Sequence, residues 1–253
     1  MPRTARKKSE SGIYHIMLRT INRQDLFEDD EDRERFIETL AFYKEKSGYK
    51  IYAYCLMINH IHILLKEEKE SLALILKRIS SSFVYYYNQK YSRCGHLFQE
   101  RFRSEPVEDN SYFLTVLRYI HRNPIKANII ETIDAYQWSS YNEYVKGSKI
   151  VDVKFALDIF SNNQADALRS FVQFNNEDNK DKCLEYKDTR RINDDEAREI
   201  IKDIAKINNI SELQHYDKEK RDETIRRMKE IEGVSIRQIA RITGLSYNLV
   251  LKL

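Results

Sequence analysis

The stretch YKIYAYCLMINHIHILLKEE, Tyr49 to Glu68, is strand-forming throughout and contains neither glycine nor proline. An ordinary strand runs about 5–6 residues, so this segment has to double back on itself. A break at Ile58-Asn59 predicts a hairpin of Tyr49–Met57 and His60–Lys66.

The flanking segments arrange themselves around that hairpin. SGIYHIMLRTIN (Ser11 to Asn22) is β-branched and aromatic enough for a strand. DDEDRERFIETLAFYKEKSG opens on acidic residues, ends at Gly48 and spaces Phe36, Leu40 and Tyr43 as a helix does. ESLALILKRISSSFVYYYNQKYS carries Leu72, Leu76, Ile79 and Phe83 on one helical stripe. GHLFQERFRSEPV reads as a fourth strand, and DNSYFLTVLRYIHRNPIKANII as a helix interrupted at Pro124. The order β-α-β-β-α-β-α is the ferredoxin-like split βαβ arrangement with an added helix, an α+β fold. Helices on one face of such a sheet would leave the other face open to a ligand.

Six glycines and three prolines in 253 residues agree with long helices, and 42% hydrophobic with 33% charged residues agrees with a soluble globular chain. A net charge of +3 does not by itself imply a polyanion partner. The basic run RTARKK, Arg3 to Lys8, is a local exception. No apolar run approaches the roughly 18 residues of a membrane span, and no signal region follows the N-terminus. Three widely spaced cysteines, Cys55, Cys94 and Cys183, support neither a disulfide framework nor a thiolate zinc site and fit a reducing cytoplasm.

Beyond YQWSSYNEYV the composition changes. Asn175 to Glu196 is charged and nearly free of large aliphatics, as a linker or solvated loop is. Helical periodicity resumes at Ala197 and ends in SIRQIARITGLSYNLVLKL, a helix-turn-helix pattern whose second helix begins at Ser246. The expected organisation is a catalytic domain over 1–150, a helical extension and charged linker over 151–196, and a helical DNA-binding domain over 197–253.

On a strand, residues two apart share a face, so His60 and His62 project together. Two partly exposed histidines on a sheet surface satisfy that pattern. So does a chelating pair awaiting a third ligand, in a zinc hydrolase, a redox centre or a nuclease. Tyr119 and Asn123, four apart in LRYIHRNPIK, would share a helical face if the helix reaches Asn123. A tyrosine hydroxyl can attack phosphorus and an amide oxygen can hold a hard cation. Equally, Asn123 could cap a new helix begun by Pro124, with Tyr119 in the core. Tyr85, Tyr86 and Tyr87 point about 100° apart on a helix, so they cannot act as one cluster. His15, His96 and His121 have no assigned task, and His121 should face away from Tyr119.

Five ordered blocks across roughly residues 1–145 carry a resemblance: SGIYHIMLRTINRQDLFEDDEDRERF, AYCLMINHIHILLK, GHLFQERFRSEPVED, LRYIHRNPIKANII and YQWSSYNEYV. Together they resemble the single-tyrosine HUH transposases, in particular the REP-associated tyrosine transposase branch. The resemblance implies a metal site at His60, His62 and Asn123, a nucleophile at Tyr119, and a divalent metal, Mg2+ or Mn2+. It implies cutting and rejoining of single-stranded or hairpin DNA through a 5′-phosphotyrosine link, by a monomer or a homodimer in the cytoplasm, at the nucleoid. One departure is Ile58, where the family usually has proline, a change that could loosen the hairpin turn.

Cations beside aromatics suit single-stranded DNA. Arg101 and Arg103 would share a strand face opposite Phe98 and Phe102, and Arg3, Arg6, Lys7 and Lys8 could follow phosphates. Ser246, Tyr247 and Asn248 at the second helix of the turn motif are the candidates for duplex contact. Two other functions fit parts of the pattern: a non-catalytic helix-turn-helix regulator on a transposase-derived core, and a hydrolytic metalloenzyme without a covalent DNA intermediate.

Overall fold

Four strands, β1 (Ile13–Arg19), β2 (Lys50–Leu56), β3 (His60–Lys66) and β4 (Arg103–Pro106), form one antiparallel sheet in the order β2-β3-β1-β4. The structure, a computed structural model, describes residues 6–99, 101–179, 181–185, 192–231 and 233–253. α1 (Asp30–Ser47) links β1 to β2, and α2 (Leu72–Lys90) links β3 to β4, so the core is the α+β split βαβ arrangement. The chain divides into two compact units, residues 1–185 and 186–253.

Local chemistry explains the helix limits. Asp29 accepts a hydrogen bond from the Asp32 amide at 3.0 Å as N-cap of α1, and three acidic residues follow in its first turn. Gly48 ends α1 at φ 66°, a left-handed conformation that glycine adopts without steric cost. Phe36 of α1 meets Phe83 of α2 edge to face, ring centroids 5.1 Å apart, and both are fully buried. Of the three consecutive tyrosines only Tyr87 is buried, while Tyr85 is exposed.

The β2–β3 hairpin turns over Met57–Asn59, with the Met57 amide donating to the His60 carbonyl at 2.9 Å. Neighbouring chain fastens this turn. The Leu26 amide donates to the Ile58 carbonyl at 2.7 Å, and the Thr20 amide donates to the Asn59 carbonyl at 3.1 Å. These bonds hold the reversal without the proline missing at position 58.

Three expectations need correction. β4 is only four residues long, with a separate isolated bridge between Thr20 and Phe98, so Arg101 lies outside the strand. Alternation therefore does not place it beside Arg103. α3 (Asn110–Lys126) runs through Pro124 without a break. The proline sits in the last turn, where one absent amide costs least, and Asn123 is helical rather than the cap of a new helix. The second face of the sheet is not open either, because α3 packs on β2 and β3.

α4 (Tyr141–Lys146), α5 (Val153–Phe160) and α6 (Gln164–Asn176) follow, and Ala156, Leu157 and Phe171 join the core of the sheet. The edge of β2 is occupied. The Leu56 amide donates to the Trp138 carbonyl and the Ser140 amide to the Tyr54 carbonyl, both at 2.9 Å. His121, as expected, faces away from Tyr119. Its ring nitrogens meet Asn175 Oδ1 at 3.2 Å and Ser140 Oγ at 3.0 Å, and burial pushes its pKa down to about 3. Among its described residues, the charged run after α6 makes contacts with the fold. Asp178 pairs with Arg122 at 3.1 Å and Asp181 with Arg118 at 2.7 Å, so its carboxylates neutralise the cations of α3.

In the second unit, α7 (Asp194–Ala205), α8 (Lys218–Lys229), α9 (Ile236–Thr243) and α10 (Tyr247–Lys252) enclose Ala197, Ile201, Leu213, Ile225, Met228, Ile239 and Val250. Gly244 at φ 70° closes α9, and Ser246 Oγ accepts from the Leu249 amide at 3.2 Å to start α10. Among the described residues no helix is long and apolar enough to cross a membrane.

The hairpin is fastened through the carbonyls of Ile58 and Asn59, so Ile58→Pro should leave it intact. The expected outcome in thermal or urea unfolding is unchanged or higher stability, up to about 1 kcal/mol from the restricted unfolded chain. A loss of more than about 1 kcal/mol would show that the position cannot accept the ring.

Candidate active site

Alternation along β3 turns His60, His62 and Leu64 to one face and Ile61, Ile63 and Leu65 to the other. Strand register brings two more polar side chains onto the histidine face. His15 of β1 stands opposite Leu64, and Met17 opposite His62, so His15 and His62 are diagonal neighbours. Across its other edge, β1 places His15 opposite Glu105 of β4. A polar chain therefore crosses three strands. Glu105 Oε1 lies 2.9 Å from His15 Nδ1, and His15 Nε2 lies 3.0 Å from His62 Nδ1.

α3 supplies the opposite wall. The Tyr119 ring sits edge-on to His62 and His15, with centroids at 5.6 and 5.8 Å, while His60 and His62 are 5.0 Å apart. Asn123 lies one turn after Tyr119, and its Nδ2 donates to the Tyr119 carbonyl at 3.1 Å. That bond directs the amide nitrogen along the helix and leaves Oδ1 as the acceptor atom of the side chain. Tyr119 and Asn123 are both buried despite their polar ends.

Burial keeps the His62 imidazole neutral, its pKa well below the ordinary histidine value, and the neighbouring His15, His60 and Lys126 act in the same direction. Burial pushes the Tyr119 pKa up, and a hydrogen bond to Glu185 adds to the rise. Tyr119 Oη donates to Glu185 Oε1 at 2.7 Å, and Lys126 pairs with the same carboxylate. Those two donors hold Glu185 below the usual carboxylate range. Burial alone would raise Glu105, but bonds from His15, the Leu184 amide and Tyr112 outweigh it and leave Glu105 lowered. Lys126 Nζ also lies 5.0 Å over the Tyr119 ring.

Among the described residues no three His, Cys, Asp or Glu side chains gather as metal ligands. The donor set at hand is two imidazoles and an amide oxygen. His60 Nδ1 faces Asn59 Oδ1 at 2.8 Å and His62 Nδ1 faces His15, so a proton on each Nδ1 puts each lone pair on Nε2. Imidazole nitrogens and an amide oxygen are donor types that suit a divalent cation of the Mn2+ or Mg2+ kind.

The structure thus brings His60, His62 and Tyr119 together, with Asn123 one helical turn beyond Tyr119 on α3. It adds His15, Glu105, Lys126 and Glu185, for which only the strand register and the return of the chain over α3 give a signal. The expected DNA contacts are scattered. Arg3 lies outside the described residues. Arg6 stacks over the Phe102 ring at 3.7 Å and donates to the Phe102 carbonyl at 3.1 Å. Burial and the nearby Arg101 charge lower its pKa. Lys7, Lys8, Arg101 and Arg103 are exposed. Arg6, Lys77, Phe98, Arg101 and Phe102 line an open groove of about 730 Å³ that does not include the paired histidines. In the second unit Ser246, Tyr247 and Asn248 are exposed on the first turn of α10.

Removing the Glu185 charge should release part of the hold on the Tyr119 proton. In Glu185→Gln the Tyr119 pKa is expected to fall from its wild-type value, read from pH titration of ¹³Cζ-labelled tyrosine. A Tyr119 resonance titrating at the wild-type pH would contradict the contact.

Residues 8–123 match the model of the IS200-like transposases, a span that includes His15, His60, His62, Tyr119 and Asn123. A Haemophilus influenzae protein described as a candidate REP-associated tyrosine transposase is 24% identical over 153 residues, 54% of this chain and 84% of that one. A REP-associated tyrosine transposase solved with a REP hairpin shares the fold at TM-score 0.52 and 15% identity, over 61% of this chain and 94% of that one. Residues 8–123 are therefore similar to the IS200-like transposases, and the chain is similar in sequence to a REP-associated tyrosine transposase.

Proposed function

We propose that this chain cuts and rejoins single-stranded or hairpin DNA, with Tyr119 as nucleophile beside a divalent cation held by His60, His62 and Asn123. The observation that carries the reading is the approach of Tyr119, with Asn123 one turn on along the same helix, to the histidine face of β3. When bound, the cation polarises the scissile phosphate and offsets its developing negative charge.

The residues divide the remaining work. His15 and Asn59, bonded to Nδ1 of His62 and His60, hold both rings with Nε2 as the ligand atom. Tyr119 forms the new oxygen–phosphorus bond as the bond to the 3′ oxygen breaks, leaving a 5′-phosphotyrosine and a 3′-hydroxyl. Glu185 is the carboxylate in reach of the tyrosine proton, and the departing oxygen takes a proton from solvent. Attack by a 3′-hydroxyl on the same phosphorus reverses the step, with the phosphodiester energy kept in the tyrosine link. Burial of Tyr119 keeps bulk water from competing for that bond.

The hairpin bound by the structurally similar transposase supports hairpin DNA as the substrate class. The groove of Arg6, Lys77, Arg101 and Phe102 offers cations and a stacking ring for an unpaired strand. The exposed first turn of α10 supports duplex contact by Ser246, Tyr247 and Asn248 in the second unit. A purely regulatory DNA-binding protein would have no use for the histidine–tyrosine cluster, so the enzyme is the better reading.

Incubation with Mn2+ and a hairpin oligonucleotide should yield a protein–DNA adduct that survives denaturing electrophoresis, and chelation should abolish it. Tyr119→Phe is expected to form none, and His60→Ala to bind Mn2+ at least about tenfold more weakly. An adduct persisting in Tyr119→Phe would assign the nucleophile elsewhere.

A further inference from the structure

The polar chain that ends at His62 begins two strands away, and its direction can be worked out from the proton on each atom. We propose that Glu105, acting through His15, is the positioning device that holds His62 as its Nδ1–H tautomer, so that Nε2 points its lone pair at the cation. Neither residue touches the cation or the DNA; both act through His62. The proposal deepens the metal-site reading above and rests on it.

The argument is geometric. Glu105 is a carboxylate with lone pairs only, so His15 Nδ1, 2.9 Å away, must donate. The Leu184 amide, which donates to the same Oε1 at 2.9 Å, fixes where that oxygen sits. His15 Nε2 then faces His62 Nδ1 at 3.0 Å, so the one ring nitrogen of His62 outside this chain of bonds is Nε2, and an imidazole that binds a cation through Nε2 carries its proton on Nδ1. That assigns the second nitrogen of His62 as a bare ligand atom. The opposite arrangement, with His15 donating at both nitrogens, would put the His62 proton on Nε2 and block the cation. Free neutral histidine favours the Nε2–H form, so the metal-binding tautomer needs something to select it. His15 is fully buried on the sheet and cannot take the selecting bond from water. The pairing is set by register, since His15 stands opposite Glu105 in one direction and diagonal to His62 in the other.

A merely structural buried histidine would affect stability and leave metal affinity and tautomer alone, and the experiments separate the two. Long-range ¹H–¹⁵N spectra of the metal-free wild-type chain should show His62 Nδ1 as the protonated and Nε2 as the unprotonated nitrogen. The reverse assignment would overturn the proposal, and this arm needs no variant except His62→Asn for assignment. Titration of Mn2+ followed by electron paramagnetic resonance should show about 10–100-fold weaker binding in His15→Leu. Glu105→Ala, at a partly exposed side chain, should bind about tenfold more weakly, and Glu105→Gln, whose amide oxygen can still accept from His15, should recover most of that loss. His15→Gln, whose amide oxygen can still accept from His62, should recover most of the loss. Folded His15→Leu or Glu105→Ala chains binding Mn2+ like the wild type would overturn the proposal. A wild-type chain with no Mn2+ affinity at all would instead defeat the metal-site reading, leaving the tautomer measurement to stand or fall separately.

Discussion

The pairing of β1 between β3 and β4 is the constraint from which the site follows. Side chains alternate with a period of two, so a one-residue slip would move every histidine to the opposite face. In the observed register His15, His62 and Glu105 share a face across three strands, and α3 closes over it with Tyr119. The same slip would push Ile61, Ile63 and Leu65, all fully buried, out of the core. Hydrophobic burial therefore fixes the geometry of the polar site. Packing chosen by the aliphatic face aligns the chemistry on the other.

That coupling also explains why so many polar groups survive in a dry interior. His15, His62 and His121 are all buried, and each finds its partners in a neighbouring element rather than in solvent. His121 is held by Ser140 and Asn175, which ties α3 to the later helices. The two networks lie on opposite sides of α3, so one helix is braced by one histidine while it presents Tyr119 to the others. Breaking either set would strand a donor or acceptor where water cannot replace it.

Much of this was legible in the residues. The over-long strand segment forced a hairpin, and its break fell where the chain turns. Asp29 and Gly48 marked the ends of α1, and alternation alone paired His60 with His62. What stayed hidden depended on contacts distant in sequence. Nothing near His15 indicates that Glu105, ninety residues on, stands opposite it. Nor does a charged stretch reveal that Glu185 returns to Tyr119, since its acidic composition suits solvent equally well. The fourth strand was overestimated because HLFQERFR alternates as a strand should, although only Arg103–Pro106 find a ladder to join. Pro124 misled in the other direction, since a proline in a last turn removes little and the helix passes through it.

A wild-type buried tyrosine facing a histidine cluster is an unusual thing to build unless its oxygen is to be used. The most direct measurement is mass spectrometry of protease-digested covalent adduct formed with a hairpin oligonucleotide and Mn2+. The account predicts the nucleotide, joined through its 5′ phosphate, on the peptide that contains Tyr119. A nucleotide mapped instead to the peptide of Tyr85, Tyr86 and Tyr87, or to any other side chain, would contradict it.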